Sequence, residues 1–241
     1  SCKRIAVDTE SNSLYAYFEK VCLVQFSAGG RHVLLDPILL ESLEPLRQVF
    51  ADPAIEKIFH AGEYDILSMK RDFNFDFANI FDTMIAAKIL GRKEIGLCTL
   101  LESEFGITLN KKYQKANWGK RPINEEMIRY GAGDTMYLHR LRDRLSAELS
   151  ERNLMPLAQE DFRHLCETPC GSNRPMEAVW WRVAKFPQDL THKDALRLQS
   201  LVTWRELIAE RENTPTYRVI RNDVLTDLAT QHPKSMEELR Q

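Results

Sequence analysis

The feature that most constrains this chain is a change of hydrophobic period near residue 82. Before it, short apolar runs at Arg4 to Val7, Val21 to Phe26, His32 to Leu35 and Lys57 to Phe59 read as strands. Helical patterns at Leu43 to Phe50 and Asp65 to Phe73 stand among them. From Asp82 onward the strand signal disappears, and helical periodicity runs through Thr83 to Leu90, Leu97 to Phe105 and a long segment from Glu125 to about Leu149. A chain patterned this way folds as an α/β domain, a mixed sheet flanked by helices, that ends in helices. The stretch TPCGSNRP at 168–175 concentrates chain breakers and small polar residues and reads as a linker. Beyond it, apolar positions including Val179, Val183, Leu196, Leu201, Trp204, Leu207, Val219 and Leu225 suit three or four short helices. These are broken by Pro187, by Asn213 to Pro215 and by Pro233. The expected organisation is one domain over 1–168 and a small all-α domain over 169–241.

Composition excludes several classes. With 241 residues and 44% hydrophobic content the chain should bury a real core. No run of about 18 apolar residues exists, and the start SCKRIAVDTE lacks the basic-then-apolar order of a signal peptide, so no membrane association and a cytoplasmic location are expected. Cys2, Cys22, Cys98, Cys166 and Cys170 show no repeated spacing and read as free thiols. A net charge of -2 leaves any polyanion to be held by local clusters or by metal ions. One such cluster lies between residues 110 and 124, where Lys111, Lys112, Lys115, Lys120 and Arg121 interleave with Tyr113 and Trp118 without an acid. It is either a solvated loop or a contact for a nucleic-acid strand.

Several acids occupy places where acids are costly. In the first strand Ile5 and Val7 face one way while Ala6, Asp8 and Glu10 face the other. The Cα atoms of Asp8 and Glu10 would stand about 6.5 to 7 Å apart, so both carboxylates can converge on one small cation. In the long helical segment Met127, Leu138, Leu141 and Leu145 form the apolar stripe, and Tyr130 and Asp134 fall on it one turn apart. Gly131 and Gly133 between them cost roughly 1 kcal/mol each in a helix relative to alanine, and what they permit is close approach of the sheet or a substrate. Asp65 sits in the first turn of its helix, where an acid complements the helix dipole. His60 reads as a structural strand-end residue, and Asp82 as a helix N-cap.

Taken in order, VDTES at 7–11, HAGEYD at 60–65, FDTMIAAKILG at 81–91, NWGKRPI at 117–123 and YGAGD at 130–134 resemble the DEDDy 3′-to-5′ exonucleases, and most closely ribonuclease D. The segment after the linker resembles an HRDC domain whose last helix the end at EELRQ would cut, and with the start at strand one without Met this leads us to expect a chain trimmed at both ends. The resemblance implies a ribonuclease H-like exonuclease fold with two divalent ions, Mg²⁺ or Mn²⁺, held by Asp8, Glu10, Asp65 and Asp134. Asp8 would bridge both ions, Glu10 and Asp134 would complete the first, and Asp65 would act at the second through water. Tyr130 would orient the attacking water, the fifth catalytic residue beside the four acids. The implied activity is that of an exoribonuclease releasing nucleoside 5′-monophosphates from single-stranded RNA 3′ ends, tRNA precursors among them, as a monomer without a small-molecule cofactor. Within 110–124 Trp118 would stack on a base and Arg121 would meet phosphate, beside Lys111, Lys112, Lys115 and Lys120. Two alternatives stay open: a DNA-directed exonuclease of the same class, because the metal chemistry does not distinguish the sugars, and a catalytically inactive nucleic-acid-binding module.

Overall fold

Five strands form one sheet in the order β3-β2-β1-β4-β5, which places β1, the carrier of Asp8 and Glu10, at the centre. The computed structural model describes residues 2–170 and 180–240, so the linker read at 168–175 falls outside them from residue 171 on, as does Val179. Strand β1 (Arg4–Ser11) pairs antiparallel with β2 (Val21–Ala28), which pairs antiparallel with β3 (Arg31–Leu35). On its other side β1 runs parallel to β4 (Glu56–Phe59), and β4 runs parallel to β5 (Ile80–Asp82). Strand β5 has three residues, too few to show a period, so the pattern of apolar residues does not announce it.

Helix α1 (Glu44–Ala51) and helix α2 (Glu63–Phe73) contribute Phe50, Ile66 and Met69 to a core with Ile5, Val7, Val24 and Phe59. A second core lies among α3 (Thr83–Ile89), α4 (Leu97–Phe105), α6 (Leu138–Glu151) and α7 (Met155–Glu167), with Ala86, Leu100, Leu141, Leu145 and Phe162 at its centre. Ala6 packs instead with Ile58 and Leu138. The alternation read from β1 therefore holds, with Ile5 and Val7 on one face and Ala6 on the other.

The long helical segment is two helices rather than one. Helix α5 (Glu125–Met136) ends at Tyr137 and α6 starts at Leu138. The buried positions of α5 are Met127, Gly131 and Thr135, while Tyr130 and Asp134 lie half-buried at the edge of that stripe rather than along it.

The chain divides into two compact units, residues 1–12 with 20–170, and 13–19 with 171–241. The second unit contains α8 (His192–Arg211), α9 (Thr216–Val219) and α10 (Asn222–Gln231), with 3-10 turns at Trp180–Arg182, Pro187–Asp189 and Glu238–Arg240. Its core is formed by Val183, Ala184, Leu198, Val202, Leu225 and Ala229. The 13–19 segment belongs to it through Tyr217, whose hydroxyl donates to the Leu14 carbonyl at 2.6 Å, and through Asn213, which accepts from Phe18 N–H at 3.0 Å. All five cysteines are free thiols, and among the described residues no helix is long and apolar enough to cross a membrane.

Candidate active site

Strand β1 continues past Asp8 to Ser11, so Glu10 is still within regular strand and on the face of Asp8. Helix α5 lies against that face and brings Asp134 to both. One ligand oxygen from each of Asp8, Glu10 and Asp134 lies within 4.8 Å of the others. What lets α5 come so close is Gly131, where a Cβ would stand 3.0 Å from the Gln25 amide and 3.3 Å from Leu23 Cδ2. Gly133 is different, because a Cβ there would project into open space.

Asp65 comes from the first turn of α2 and is 7% exposed. Its position is set by the turn between β4 and α2. There Ala61 adopts φ +58°, and Gly62 admits no side chain because a Cβ would meet Phe59 Cβ at 2.5 Å. Asp82 anchors the same turn by accepting from Gly62 N–H at 2.7 Å, while it caps α3 through Met84 N–H at 2.8 Å and Ile85 N–H at 3.0 Å. His60 is occupied nearby, its Nδ1 lying 2.9 Å from Thr83 Oγ1, and burial holds its pKa below the usual histidine range. Asp65 stands outside the set of three. Its Oδ1 accepts from both the backbone N–H of Thr9, at 3.0 Å, and the Thr9 hydroxyl. Thr9 thus ties α2 to β1 between the two strand acids, a role that a threonine in a strand does not announce.

The four acids share one electrostatic condition. Burial pushes each up, Asp65 to about 6, Asp134 to about 7 and Glu10 to about 9. Asp8 rises well above the carboxylate range, through burial first and then through the fields of Asp65, Asp134 and Glu10. Neutral donors moderate this: the Thr9 hydroxyl and N–H lower Asp65, and the Thr9 N–H lowers Asp8. The donor set therefore fits hard divalent cations, whose charge would offset what burial and mutual repulsion cost. The Tyr130 phenol is raised too, by burial and then by Asp134, Glu10 and Asp8, so it stays protonated at neutral pH.

The basic segment is only partly as the sequence suggested. Trp118 is 1% exposed and packs with Cys22, Leu23 and Met127, its ring 6.0 Å from that of Tyr130. It is a core residue and has no face to offer a base. Arg121 is likewise engaged, donating to both oxygens of Asp36 at 2.6 and 2.7 Å and to the carbonyls of Trp118 at 2.6 Å and Cys22 at 2.8 Å. Both corrections have one cause: 118–121 closes over β2, so Trp118 and Arg121 turn inward while Lys120 stays outside. Lys111, Lys115 and Lys120 are exposed, and Lys112 is exposed and paired with Glu126 at 2.7 Å. Lys112 helps line a cleft of about 430 Å³ that Tyr113, Arg129, Tyr130, Gly133 and Asp134 also line.

Residues 1–150 match the family described as 3′-5′ exonuclease. The chain belongs to that family. An HRDC domain matches residues 194–241, so the two matches follow the ribonuclease D-like order expected from the sequence. The exosome complex exonuclease RRP6 of Saccharomyces cerevisiae is 30% identical over 245 residues, which are 96% of this chain and 33% of that protein. Ribonuclease D of Acidiphilium cryptum is 31% identical over 238 residues, 98% of this chain and 60% of the relative. The chain thus spans between about a quarter and a third of the length of the RRP6-type relatives. The crystal structure of Escherichia coli RNase D, described as an exoribonuclease involved in structured RNA processing, superposes with a TM-score of 0.75 at 28% identity, covering 99% of this chain and 63% of that one. NrnC of Brucella melitensis, a structure with bound Mg²⁺, superposes with a TM-score of 0.62 at 25% identity over 68% of this chain and 82% of its own.

Proposed function

We propose that this exonuclease removes nucleoside 5′-monophosphates from single-stranded RNA 3′ ends with two divalent ions, Mg²⁺ or Mn²⁺, held by Asp8, Glu10, Asp65 and Asp134. The observation that carries the proposal is the convergence of Asp8, Glu10 and Asp134 oxygens within 4.8 Å in a place that burial makes hostile to uncompensated charge. When bound, such ions supply a deprotonated water and stabilise charge on the leaving oxygen of an in-line displacement. The protein's part is to hold the ligands, and Thr9 does this for Asp65. Tyr130, a neutral phenol on the rim of the cleft, orients water and phosphate oxygens and does not abstract a proton. Lys111, Lys112, Lys115 and Lys120 meet the phosphates of the strand.

RNA is favoured because both the ribonuclease D relative and the Escherichia coli structural neighbour carry that activity in their names. The neighbour's description as an exoribonuclease involved in structured RNA processing supports RNAs with structured bodies as substrates; tRNA precursors and a monomeric working form are our proposal from the sequence resemblance alone. A 5′-labelled single-stranded RNA should shorten in Mg²⁺ or Mn²⁺, and should remain intact in EDTA or when its 3′ end is blocked. A matched DNA should be degraded more slowly. RNA left intact in both metals would defeat the enzymatic reading, and preferential loss of DNA would transfer it to the DNA-directed alternative.

A further inference from the structure

Gln25 is the polar residue in β2 that the functional reading leaves unused. It is 0% exposed in the middle of VCLVQFSA, where a primary amide is costly unless its hydrogens are bonded. It lies directly opposite Asp8 across the antiparallel pair, and such partners project to the same face. With its NH₂ turned to Asp8, the amide donates to Asp8 Oδ2 at 2.7 Å and to the Asp8 main-chain oxygen at 3.1 Å. From the opposite side Gly131 confines it, since a Cβ there would stand 3.0 Å from the other terminal atom of the amide, its oxygen in this orientation.

We infer that Gln25 is a positioning residue, fixing the carboxylate of Asp8 so that one oxygen is tied to the protein and the other is directed at the cation. The inference rests on the metal-dependent reading above. The chemistry explains the residue type. A lysine or arginine at this place would hold Asp8 equally well but would neutralise the cluster that a divalent ion must find negative. An amide orients without cancelling charge. Outer groups that orient metal ligands in this way carry about 10-fold to 100-fold in metal affinity or activity when removed.

The test is calorimetric titration of the full chain with Mn²⁺ alone, paired with turnover of labelled RNA. Gln25→Met keeps length and removes both donors; it should weaken Mn²⁺ binding by about tenfold or more and lower kcat, while KM for RNA changes by less than about twofold. Raising Mn²⁺ should restore part of the rate. Gln25→Asn keeps an amide but withdraws it by one methylene from Asp8, so it should also weaken Mn²⁺ several-fold. If Gln25→Met fails to fold, Gln25→Asn decides alone, an unchanged Mn²⁺ affinity overturning the inference. Mn²⁺ binding that disappears in Asp8→Asn but persists at full strength in Gln25→Met would keep the metal reading and overturn the role of Gln25. An unmutated chain that binds no Mn²⁺ would overturn both.

Discussion

Asp8, Glu10, Asp65 and Asp134 hold their protons more tightly than solvated acids do, because burial withdraws the water that stabilises a carboxylate. In the unfolded chain they would ionise near pH 4, and in the fold Asp65, Asp134 and Glu10 ionise near 6, 7 and 9. Between those limits the folded state binds more protons than the unfolded one, so the stability of the metal-free chain is fullest below about pH 4 as far as these groups are concerned and falls as pH rises. Lys57 and His60 act oppositely, burial lowering Lys57 from 10.5 to about 8 and His60 below 6.5, so the slope is read between those limits. Scanning calorimetry in EDTA should show Tm decreasing from about pH 6.5 to about pH 8, with Mg²⁺ raising Tm more at the upper end. Asp8→Asn should flatten the slope and abolish Mg²⁺-dependent shortening of RNA while the protein stays folded; a Tm that climbs steadily with pH in EDTA would contradict the electrostatics of the site. Tyr130→Phe removes only a hydroxyl that positions water, so turnover should fall by about 100-fold with Mn²⁺ affinity unchanged, and unaltered turnover would remove Tyr130 from the mechanism.

At the scale of elements, the turn between β4 and α2 and the start of α3 are held by a single side chain. Asp82 is 1% exposed and accepts from Gly62, Met84 and Ile85. Its replacement by alanine removes an N-cap and leaves buried N–H groups unmet, which should cost about 2–4 kcal/mol in urea unfolding. Asp82→Asn should cost less, because one acceptor oxygen remains, and equal costs would show that the charge rather than the bonds matters. That cap was legible in the sequence, as were β1 to β4, the ends of α4 and the shared face of Asp8 and Glu10, because each follows from local period or capping chemistry. The break at Tyr137 was not: the apolar spacing runs on through it, and only packing separates α5 from α6. Gln25 was invisible for a related reason. A lone glutamine in an apolar run carries no period, and its meaning comes from register with Asp8 on another strand.

For the molecule as a whole, a net charge of -2 supplies no global positive excess to gather a polyanion, so attraction falls to local side chains such as the exposed Lys111, Lys112, Lys115 and Lys120, or to bound metal ions. The corrected roles within 110–124 separate two kinds of consequence that the sequence could not distinguish, since an indole among lysines looks the same whether it faces solvent or β2. Trp118→Ala should act on stability, opening a cavity between β2 and α5 at a cost of about 3–5 kcal/mol. Replacing Lys111, Lys115 and Lys120 together by alanine should leave Tm nearly unchanged and act on binding. Every phosphate that a lysine no longer neutralises lowers the dependence of log K on log salt by about 0.7 for a single strand, so a variant without all three lysines should flatten that slope by about 2. The measurement is fluorescence anisotropy of a labelled single-stranded RNA in Ca²⁺ or EDTA, titrated from low to moderate salt. A slope equal to that of the unmutated chain would show that these lysines are merely solvated and that the strand takes another path to Asp8.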